Sequence, residues 1–547
     1  MSILTKQISE EIINSIILAQ SDGLLPDFDL PDHIHLSNPK QIEWGDYSSA
    51  FPLQMSKQLS LSPISIAESI QKKLISNTMF ENVTVSKPGF LNVTLSVDWL
   101  CASVEAVLEK GSSFADLQEF EGKEAQVEFV SANPTGPLTV GHGRGGVIGD
   151  TLSNLLSSVG YKVTREYYYN NAGRQMKILG ESLRIRYLQS LGRDLSLSEH
   201  HYQGDYLVDL STQLVDNYGD SLVESHWKEF TKIAEENIAS QQHNTLSNLN
   251  IVMDILYNEQ SLYEDGSVDN VIEILKSKGL AYEKDGALWF ALTILGGSED
   301  RVIVKSSGDP TYRLPDIAYH CNKVERGFDL VVDVLGADHK DSFPDVLLGV
   351  QAMGYDSTKI KLLMHQFVNI KGQRMSKRSG NYITLDNLIE EVGADVVRFF
   401  MLMRTSESHL DFDVDLAREQ SEKNPVYYVQ YAHARICSIL DRAESIVTND
   451  SDKVIINLTH ESERALMCKL LELSDTIDRS VRELSPHYLT NYARDLASSF
   501  HAFYGACKVL DVENIQLSKS RINLVKAVQI GLLRALELLG VTAPESM

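Results

Sequence analysis

Ala125-Gln-Val-Glu-Phe-Val130 runs into Ser131-Ala-Asn-Pro-Thr-Gly-Pro-Leu-Thr-Val-Gly-His-Gly-Arg-Gly-Gly146 and on into Val147-Ile-Gly-Asp-Thr-Leu-Ser-Asn-Leu-Leu156. The first piece is a short apolar strand, the second a glycine-rich turn, and the third has helical spacing of its apolar residues. Tyr161-Lys-Val-Thr-Arg-Glu-Tyr-Tyr-Tyr169 follows as a second strand. Strand, helix and strand in that order make a βαβ unit, which points to a parallel sheet with helices on its faces.

The turn carries chemistry as well as topology. Glycines at 141, 143, 145 and 146 let the backbone approach a ligand closely. The helix that follows presents free N–H groups and the positive end of its dipole, which suits an anion such as phosphate. His142 can donate a hydrogen bond to an oxygen gaining charge in a transition state, and Arg144 adds a cation to the same loop. Gly141, Gly143 and Gly146 also satisfy G-x-G-x-x-G, with Glu166 twenty residues later as a ribose-binding acid. That nicotinamide pattern should follow its strand directly, whereas about ten residues with two prolines intervene here. The bland alternative is a tight turn that only lets helix and sheet pack.

A second segment, Lys371-Gly-Gln-Arg-Met-Ser-Lys-Arg378, holds four cations and no acid. Read alone, it is a solvated basic loop or a polyphosphate contact. The helix after it, Leu385-Asp-Asn-Leu-Ile-Glu-Glu-Val, starts behind Thr384 as a cap and stops at Gly393.

Composition sets outer bounds. The chain has 547 residues, 43% hydrophobic and 23% charged, which suggests two to four soluble domains. No apolar run reaches the ~18–20 residues that cross a bilayer, and the first residues lack the basic start and apolar core of a signal peptide. The five cysteines are scattered, with no Cys-x-x-Cys, which argues against disulfides and structural zinc and for a reducing cytoplasm. A net charge of −25 argues against nucleic acid, although local patches decide binding in a large chain.

Three regions follow along the chain. Residues 1–115 begin with a helix and end in alternating strands such as Asn82-Val-Thr-Val-Ser and Phe90-Leu-Asn-Val-Thr-Leu, a small α+β module. Residues 116–405 alternate strands with helices, interrupted by a largely helical insertion at about 185–280; Asp329-Leu-Val-Val-Asp-Val-Leu335 returns to the sheet. Residues 406–547 read as amphipathic helices, an all-α bundle.

The glycine turn and the basic loop together resemble the signature pair of class I aminoacyl-tRNA synthetases, His-Ile-Gly-His and Lys-Met-Ser-Lys-Ser. The resemblance is closest to the bacterial-type arginyl-tRNA synthetase family and covers nearly the whole chain. It is carried also by Gly45-Asp-Tyr, Pro88-Gly-Phe-Leu-Asn, Asp309-Pro-Thr-Tyr-Arg-Leu-Pro-Asp-Ile-Ala-Tyr-His320, Leu335-Gly-Ala-Asp-His339 and Asn424-Pro-Val-Tyr-Tyr-Val-Gln-Tyr-Ala-His-Ala-Arg435. Two positions depart from the pattern: Thr139 stands at the first histidine and Arg374 at the first lysine.

The resemblance implies a multidomain α/β protein. A Rossmann-like class I catalytic domain would lie between an N-terminal tRNA-contacting domain and a helical anticodon-binding domain. It implies an arginine–tRNA ligase that forms arginyl-adenylate from ATP and L-arginine, then passes arginine to the 3′ end of tRNA(Arg). His142, Lys377 and Thr139 would be catalytic. Pro137, Leu138, Val140, Gly141, Gly143, Asp338, His339, Arg374, Met375 and Ser376 would bind ATP, with Mg2+ accompanying the nucleotide and no protein metal site. Ser131, Asn133, Asn171, Tyr312 and Asp316 would bind arginine, with Asn170 and Gln175 in the same cleft. Tyr312 and Asp316 lie one helical turn apart, and a carboxylate is the natural partner of a guanidinium fork. Tyr427, Tyr431 and Arg435 share a helix face suited to unstacked anticodon bases. The implied protein is a cytoplasmic monomer. Two alternatives stand beside it: a catalytically weak tRNA-binding relative, motivated by Thr139, and a class I synthetase for another amino acid. The absence of a cysteine- or histidine-rich metal cluster argues against cysteine as that amino acid.

Overall fold

Ala125 to Glu128 are buried in the strand Glu124–Glu128 (β1) of the computed structural model, as in a parallel sheet covered on both faces. The structure describes residues 4–39, 41–171, 173–370, 373–374, 384–444, 455 and 458–547. They divide into two compact units, residues 120–419 with 484–487, and residues 1–119, 420–483 and 488–547.

In the first unit β1 is joined by the strands Lys162–Tyr169 (β2), Ile255–Asn258 (β3), Leu330–Gly336 (β4) and Ile360–His365 (β5). The sheet order is β5-β4-β1-β2-β3, and every neighbouring pair is parallel. The chain therefore lays β2 and β3 on one side of β1, then returns to place β4 and β5 on the other. The order reverses between β1 and β4, and open α/β sheets form their ligand crevice at the carboxyl ends of strands flanking such a point.

Helix Val140–Ser158 (α1) joins β1 to β2 and is capped by Thr139. Helix Arg174–Ser190 (α2) follows β2 and packs with the helices Asp205–Tyr218 and Trp227–Asn248 around Leu183, Tyr187, Leu210 and Phe230. This is the helical insertion, with one difference: β3, the sheet's edge strand, also comes from within 185–280. Its alternation is hidden because Leu256 is 65% exposed at the edge. Helix Arg313–Glu325 (α3) and helix Phe343–Met353 (α4) flank β4 in sequence and share its core through Leu314, Ile317, Phe343 and Val346. Helix Leu385–Val392 (α5) begins at Thr384, whose hydroxyl accepts from Asn387 N–H. A short strand at Leu410–Phe412 still belongs to this unit and pairs in parallel with Val368–Ile370.

The second unit combines both ends of the chain. Strands Tyr47–Ser49, Phe90–Leu95 and Phe80–Ser86 form an antiparallel sheet in that order, accompanied by helices such as Leu4–Ser21 and Pro63–Leu74. The C-terminal helices include Pro425–Glu444 (α6) and His487–Ala506 (α7). They hold the N-terminal segment by specific contacts: Arg464 on Glu461–Leu471 donates to Asp46 and to the Leu95 carbonyl, and Asp475 accepts from Thr5 N–H at 3.1 Å.

Candidate active site

A cleft of about 1380 Å³ opens at the carboxyl ends of β1 and β4. That exceeds the ~300–1,000 Å³ typical of a pocket for one small molecule, so two small substrates fit side by side. One wall is the start of α1, where Thr139, Gly141, His142 and Gly145 line the cleft. Thr139 has an extended backbone, and its hydroxyl lies 3.5 Å from the His142 N–H that it caps. The contact that orients the ring is different: Thr139 N–H donates to His142 Nδ1 at 3.1 Å. An Nδ1 that accepts a hydrogen bond leaves the proton of a neutral imidazole on Nε2. His142 is thus set as an Nε2–H donor at the N-terminus of a helix.

The glycines of this turn are required by close approach. A Cβ on Gly143 would sit 2.6 Å from Leu385 Cδ1 of α5, and one on Gly145 would sit 2.8 Å from His365 Nε2 at the end of β5. Leu385 N–H also donates to the Leu138 carbonyl at 2.9 Å, and Thr139 forms a bridge with Thr384. The point where the chain leaves the basic loop and enters α5 is therefore tied to the point where α1 begins. Arg374 pairs with Asn369 in a short antiparallel ladder. Met375, Ser376 and Lys377 lie outside the described residues.

The other wall is acidic. Asp316 lies in the first turn of α3, and Glu259 borders the cleft from the segment after β3. Burial, together with the nearby Glu128 and Glu259 carboxylates, pushes Asp316 up to about 7 despite the opposing charge of His320. Burial also raises Glu259, although hydrogen bonds from Tyr168 and Tyr263 work against it. Both carboxylates would be relieved by an incoming cation. Arg313 does not provide it, since its Nε bonds Asp345 at 2.9 Å. Tyr312 is not a core residue either: it is 58% exposed at the cleft, with the Arg313 guanidinium 4.9 Å from its ring centre.

Between the walls, the chain leaving β1 passes through two successive residues with positive φ, Val130 at 68° and Ser131 at 39°. A β-branched residue there is strained, and such strain concentrates at ligand sites. It turns Ser131 so that its hydroxyl donates to Glu128 at 2.8 Å and accepts from Tyr168 N–H at 3.1 Å. Asn133 donates to Gln175 at 2.9 Å, and both line the cleft with Asn170. Asp338 and His339 stand exposed just past β4 on the same rim.

Several expected residues lie elsewhere. The side chains of Leu138 and Val140 are fully buried in the core, Gly143 faces α5, and Pro137 is not on the cleft wall. Asn171 turns away to donate to Glu235 at 2.7 Å. Arg144 is not a phosphate ligand: it is fully buried and donates to the carbonyls of Gln366, Thr405 and Ser408. Burial lowers it to about 10, which leaves it charged at neutral pH. Glu166 is no ribose acid, because it is buried under a bidentate pair with Arg326 and a hydrogen bond from Tyr319. Glu259 and His365 were not legible in the sequence, since nothing local marks either as facing a cleft. Among the described residues no cluster of three His, Cys, Asp or Glu side chains could hold a metal ion.

In the other unit Tyr427 and Tyr431 stack on α6 with centroids 6.1 Å apart and planes within 9°. The Arg435 guanidinium lies 4.5 Å from the Tyr431 ring centre and 5.4 Å from that of Tyr504 on α7, which is 39% exposed.

Comparison with known proteins agrees over the full length. Residues 3–95 match the family model "Arginyl tRNA synthetase N terminal domain", residues 103–407 match "tRNA synthetases class I (R), catalytic domain", and residues 429–547 match "DALR anticodon binding domain". The arginine–tRNA ligase of Salinibacter ruber is 44% identical over 546 residues, covering 95% of this chain and 97% of that one. That of Geobacillus kaustophilus is 41% identical, covering 100% and 99%. Among solved structures, a putative arginyl-tRNA synthetase from Campylobacter jejuni superposes with a TM-score of 0.76 at 29% identity, over 83% of this chain and 100% of that one. The arginyl-tRNA synthetase of Thermus thermophilus has the same fold, with a TM-score of 0.76 at 22% identity and full coverage of both chains.

Proposed function

We propose, from the premise that this chain belongs to the bacterial-type arginyl-tRNA synthetase family of class I, that it is an arginine–tRNA ligase with the following division of labour. ATP and L-arginine give arginyl-adenylate and pyrophosphate, and arginine then passes to the 3′ end of tRNA(Arg). The observation that carries the reading is the polarity of the cleft: Asp316 and Glu259 make one wall acidic, while the other presents a helix N-terminus and the His142 Nε2–H. A guanidinium belongs at the first wall and a phosphate at the second.

Asp316 receives the guanidinium with Glu259 beside it, and Tyr312 covers it from the rim. Ser131, Asn133 and Gln175 face the α-amino and carboxylate groups. At the opposite wall His142 donates to an α-phosphate oxygen as charge builds there, while Thr139 and Gly141 shape the approach of the triphosphate. Asp338 and His339 take the nucleoside side. Lys377 neutralises the departing pyrophosphate, with Arg374, Met375 and Ser376 shaping the ATP side of the same loop. Mg2+ would accompany ATP and offset phosphate charge, and no side-chain cluster among the described residues would need to hold it. Such a reaction needs little covalent participation by protein groups, so positioning and charge stabilisation dominate.

Residues 1–115 act as the tRNA-contacting domain and, beyond the Leu410–Phe412 strand that stays with the catalytic unit, the C-terminal helices act as the anticodon-binding domain, with Tyr427, Tyr431 and Arg435 stacking and charging the anticodon contact. The five free thiols suit a cytoplasmic enzyme, and the family resemblance favours a monomer. ATP–pyrophosphate exchange across a panel of amino acids, with and without tRNA, tests the reading. Exchange and aminoacylation are expected with arginine; neither with arginine and a matching tRNA would refute it.

A further inference from the structure

Below the cleft, three acids stand in one row across the sheet. Asp333 of β4 is in register with Glu128 of β1, and Glu128 with Glu166 of β2. Like charges on adjacent strands repel. α3 answers with His320, Lys323 and, at its C-cap, Arg326, three cations at intervals of three residues on one helix face. Arg326 takes Glu166, Lys323 lies 2.5 Å from both Glu128 and Asp333, and His320 takes Asp333. Asp316 continues the same face one turn before His320.

The imidazole of His320 has an unusual pair of neighbours. Nδ1 is 2.7 Å from the Asp316 carbonyl, and Nε2 is 2.9 Å from the Asp333 carboxylate. Neither neighbour can donate: a carbonyl oxygen only accepts, and Asp333 is held ionised by Lys323 on its other oxygen. Both ring nitrogens must therefore carry a proton.

We propose that His320 is a permanent imidazolium and a positioning residue for amino-acid recognition, whose charge one helical turn beneath Asp316 eases ionisation of that side chain, so that a guanidinium can claim it as a carboxylate near neutral pH. The inference rests on the reading of Asp316 as the arginine acid. The charged groups that act most strongly on the two residues fit. Asp316 faces Glu128 from β1, Glu259 from beyond β3, and His320 and Lys323 from its own helix; the hydroxyls of Tyr168 and Tyr263 are spent on Glu259. His320 faces Asp333 from β4, with Lys323, Asp316 and Tyr319 on α3. α4 offers it only the edge of Phe343, since Asp345 is taken by Arg313 and Arg301. Burial and Lys323 push the His320 imidazolium toward losing its proton; Asp333 and Asp316 outweigh them, and the balance is raised.

Without this charge, Asp316 would face two carboxylates with only Lys323 in opposition and would hold its proton to higher pH. The test is His320→Gln in the full-length enzyme, with the arginine KM and kcat of aminoacylation followed from pH 6.5 to 9. An amide can still donate to Asp333 but carries no charge. The arginine KM should rise at least tenfold at pH 7 and fall back toward wild type by pH 9, with kcat at saturating arginine changed much less. A KM raised equally at every pH, or not raised, overturns the proposal. Asp316→Asn separates the two layers: if it leaves the arginine KM unchanged, the pocket reading itself fails, whatever His320 does. Nitrogen-15 spectra of histidine-labelled wild-type enzyme, with His320→Gln for assignment, give a readout that needs no active variant. Two protonated ring nitrogens at pH 8 support the inference, and one unprotonated nitrogen refutes it.

Discussion

Arginine binding should release a proton, and its affinity should depend on pH in a form set by Asp316. In the empty cleft, burial and two neighbouring carboxylates hold this group at about 7, against an ordinary 3.8. A guanidinium needs the ionised form, so below pH 7 binding must first remove a proton. At pH 6 about one molecule in eleven has Asp316 ionised, and arginine should bind about tenfold more weakly than at pH 8, or ~1.4 kcal/mol. The sign for stability follows from the same shift. In the empty protein Asp316 favours folding while it stays protonated, and that contribution is lost as pH rises from about 4 through 7. Bound arginine pairs the carboxylate and cancels the loss, so the thermal shift caused by arginine should grow with pH across this window. Calorimetric titration of the full-length protein with arginine, from pH 5.5 to 8.5 in buffers of different ionisation enthalpy, measures affinity and proton release together. Nearly one proton released at pH 6 and almost none at pH 8 is expected. Affinity that is flat over this range, with no proton release at pH 6, would refute the assignment of the guanidinium to Asp316.

Other sites give independent expectations. His142→Ala should slow tRNA-dependent pyrophosphate exchange at least tenfold, ~1.4 kcal/mol of transition-state stabilisation, with arginine affinity in calorimetry unchanged. Thr139→Ala should lower stability by about 1 kcal/mol in urea unfolding through loss of the α1 cap. Thr139→His should raise the exchange rate if the hydroxyl is a weaker phosphate contact than an imidazole, and an unchanged rate would mean that the cap is its whole role. Tyr431→Ala should raise the KM for tRNA in aminoacylation by about 5- to 150-fold, the ~1–3 kcal/mol of a stacked base, without moving arginine affinity.

What could be read in the sequence, and what could not, divides along physical lines. The stretch from 125 to 169 was legible because a buried strand, a glycine turn and a run of apolar residues at helical spacing each leave a local pattern. β3 was not, because an edge strand of four residues with three of its side chains exposed has no period to detect. Asp316 and Tyr312 do line the cleft, a placement that came from the resemblance and not from their spacing of four, which fits a core face equally well. Glu259 was not legible, since its place opposite Asp316 is made by the return of the chain from the helical insertion. Arg144 is ambiguous in sequence for a related reason: a cation among glycines resembles a phosphate ligand, whereas its partners are the carbonyls of Gln366, Thr405 and Ser408, more than 200 positions away. The three cations at 320, 323 and 326 did carry a signal, a spacing of three that keeps them on one helix face, but their acids lie on strands that only the fold aligns.

Thr139 shows why a departure from a signature need not break a site. The residue there does two separable things. Its backbone N–H donates to His142 Nδ1 at 3.1 Å, and that contact alone is sufficient to put the proton of a neutral ring on Nε2. Any residue with a backbone N–H in the same extended conformation supplies it, so exchange of histidine for threonine leaves the His142 donor in place. Its side chain caps α1, a role in which threonine oxygen is favoured. What threonine cannot supply is a second imidazole beside the phosphates, since a hydroxyl gives one neutral hydrogen bond and no positive charge. The cost of the exchange therefore falls on transition-state charge stabilisation and not on ground-state geometry, and it should appear in kcat with the KM for ATP nearly unmoved.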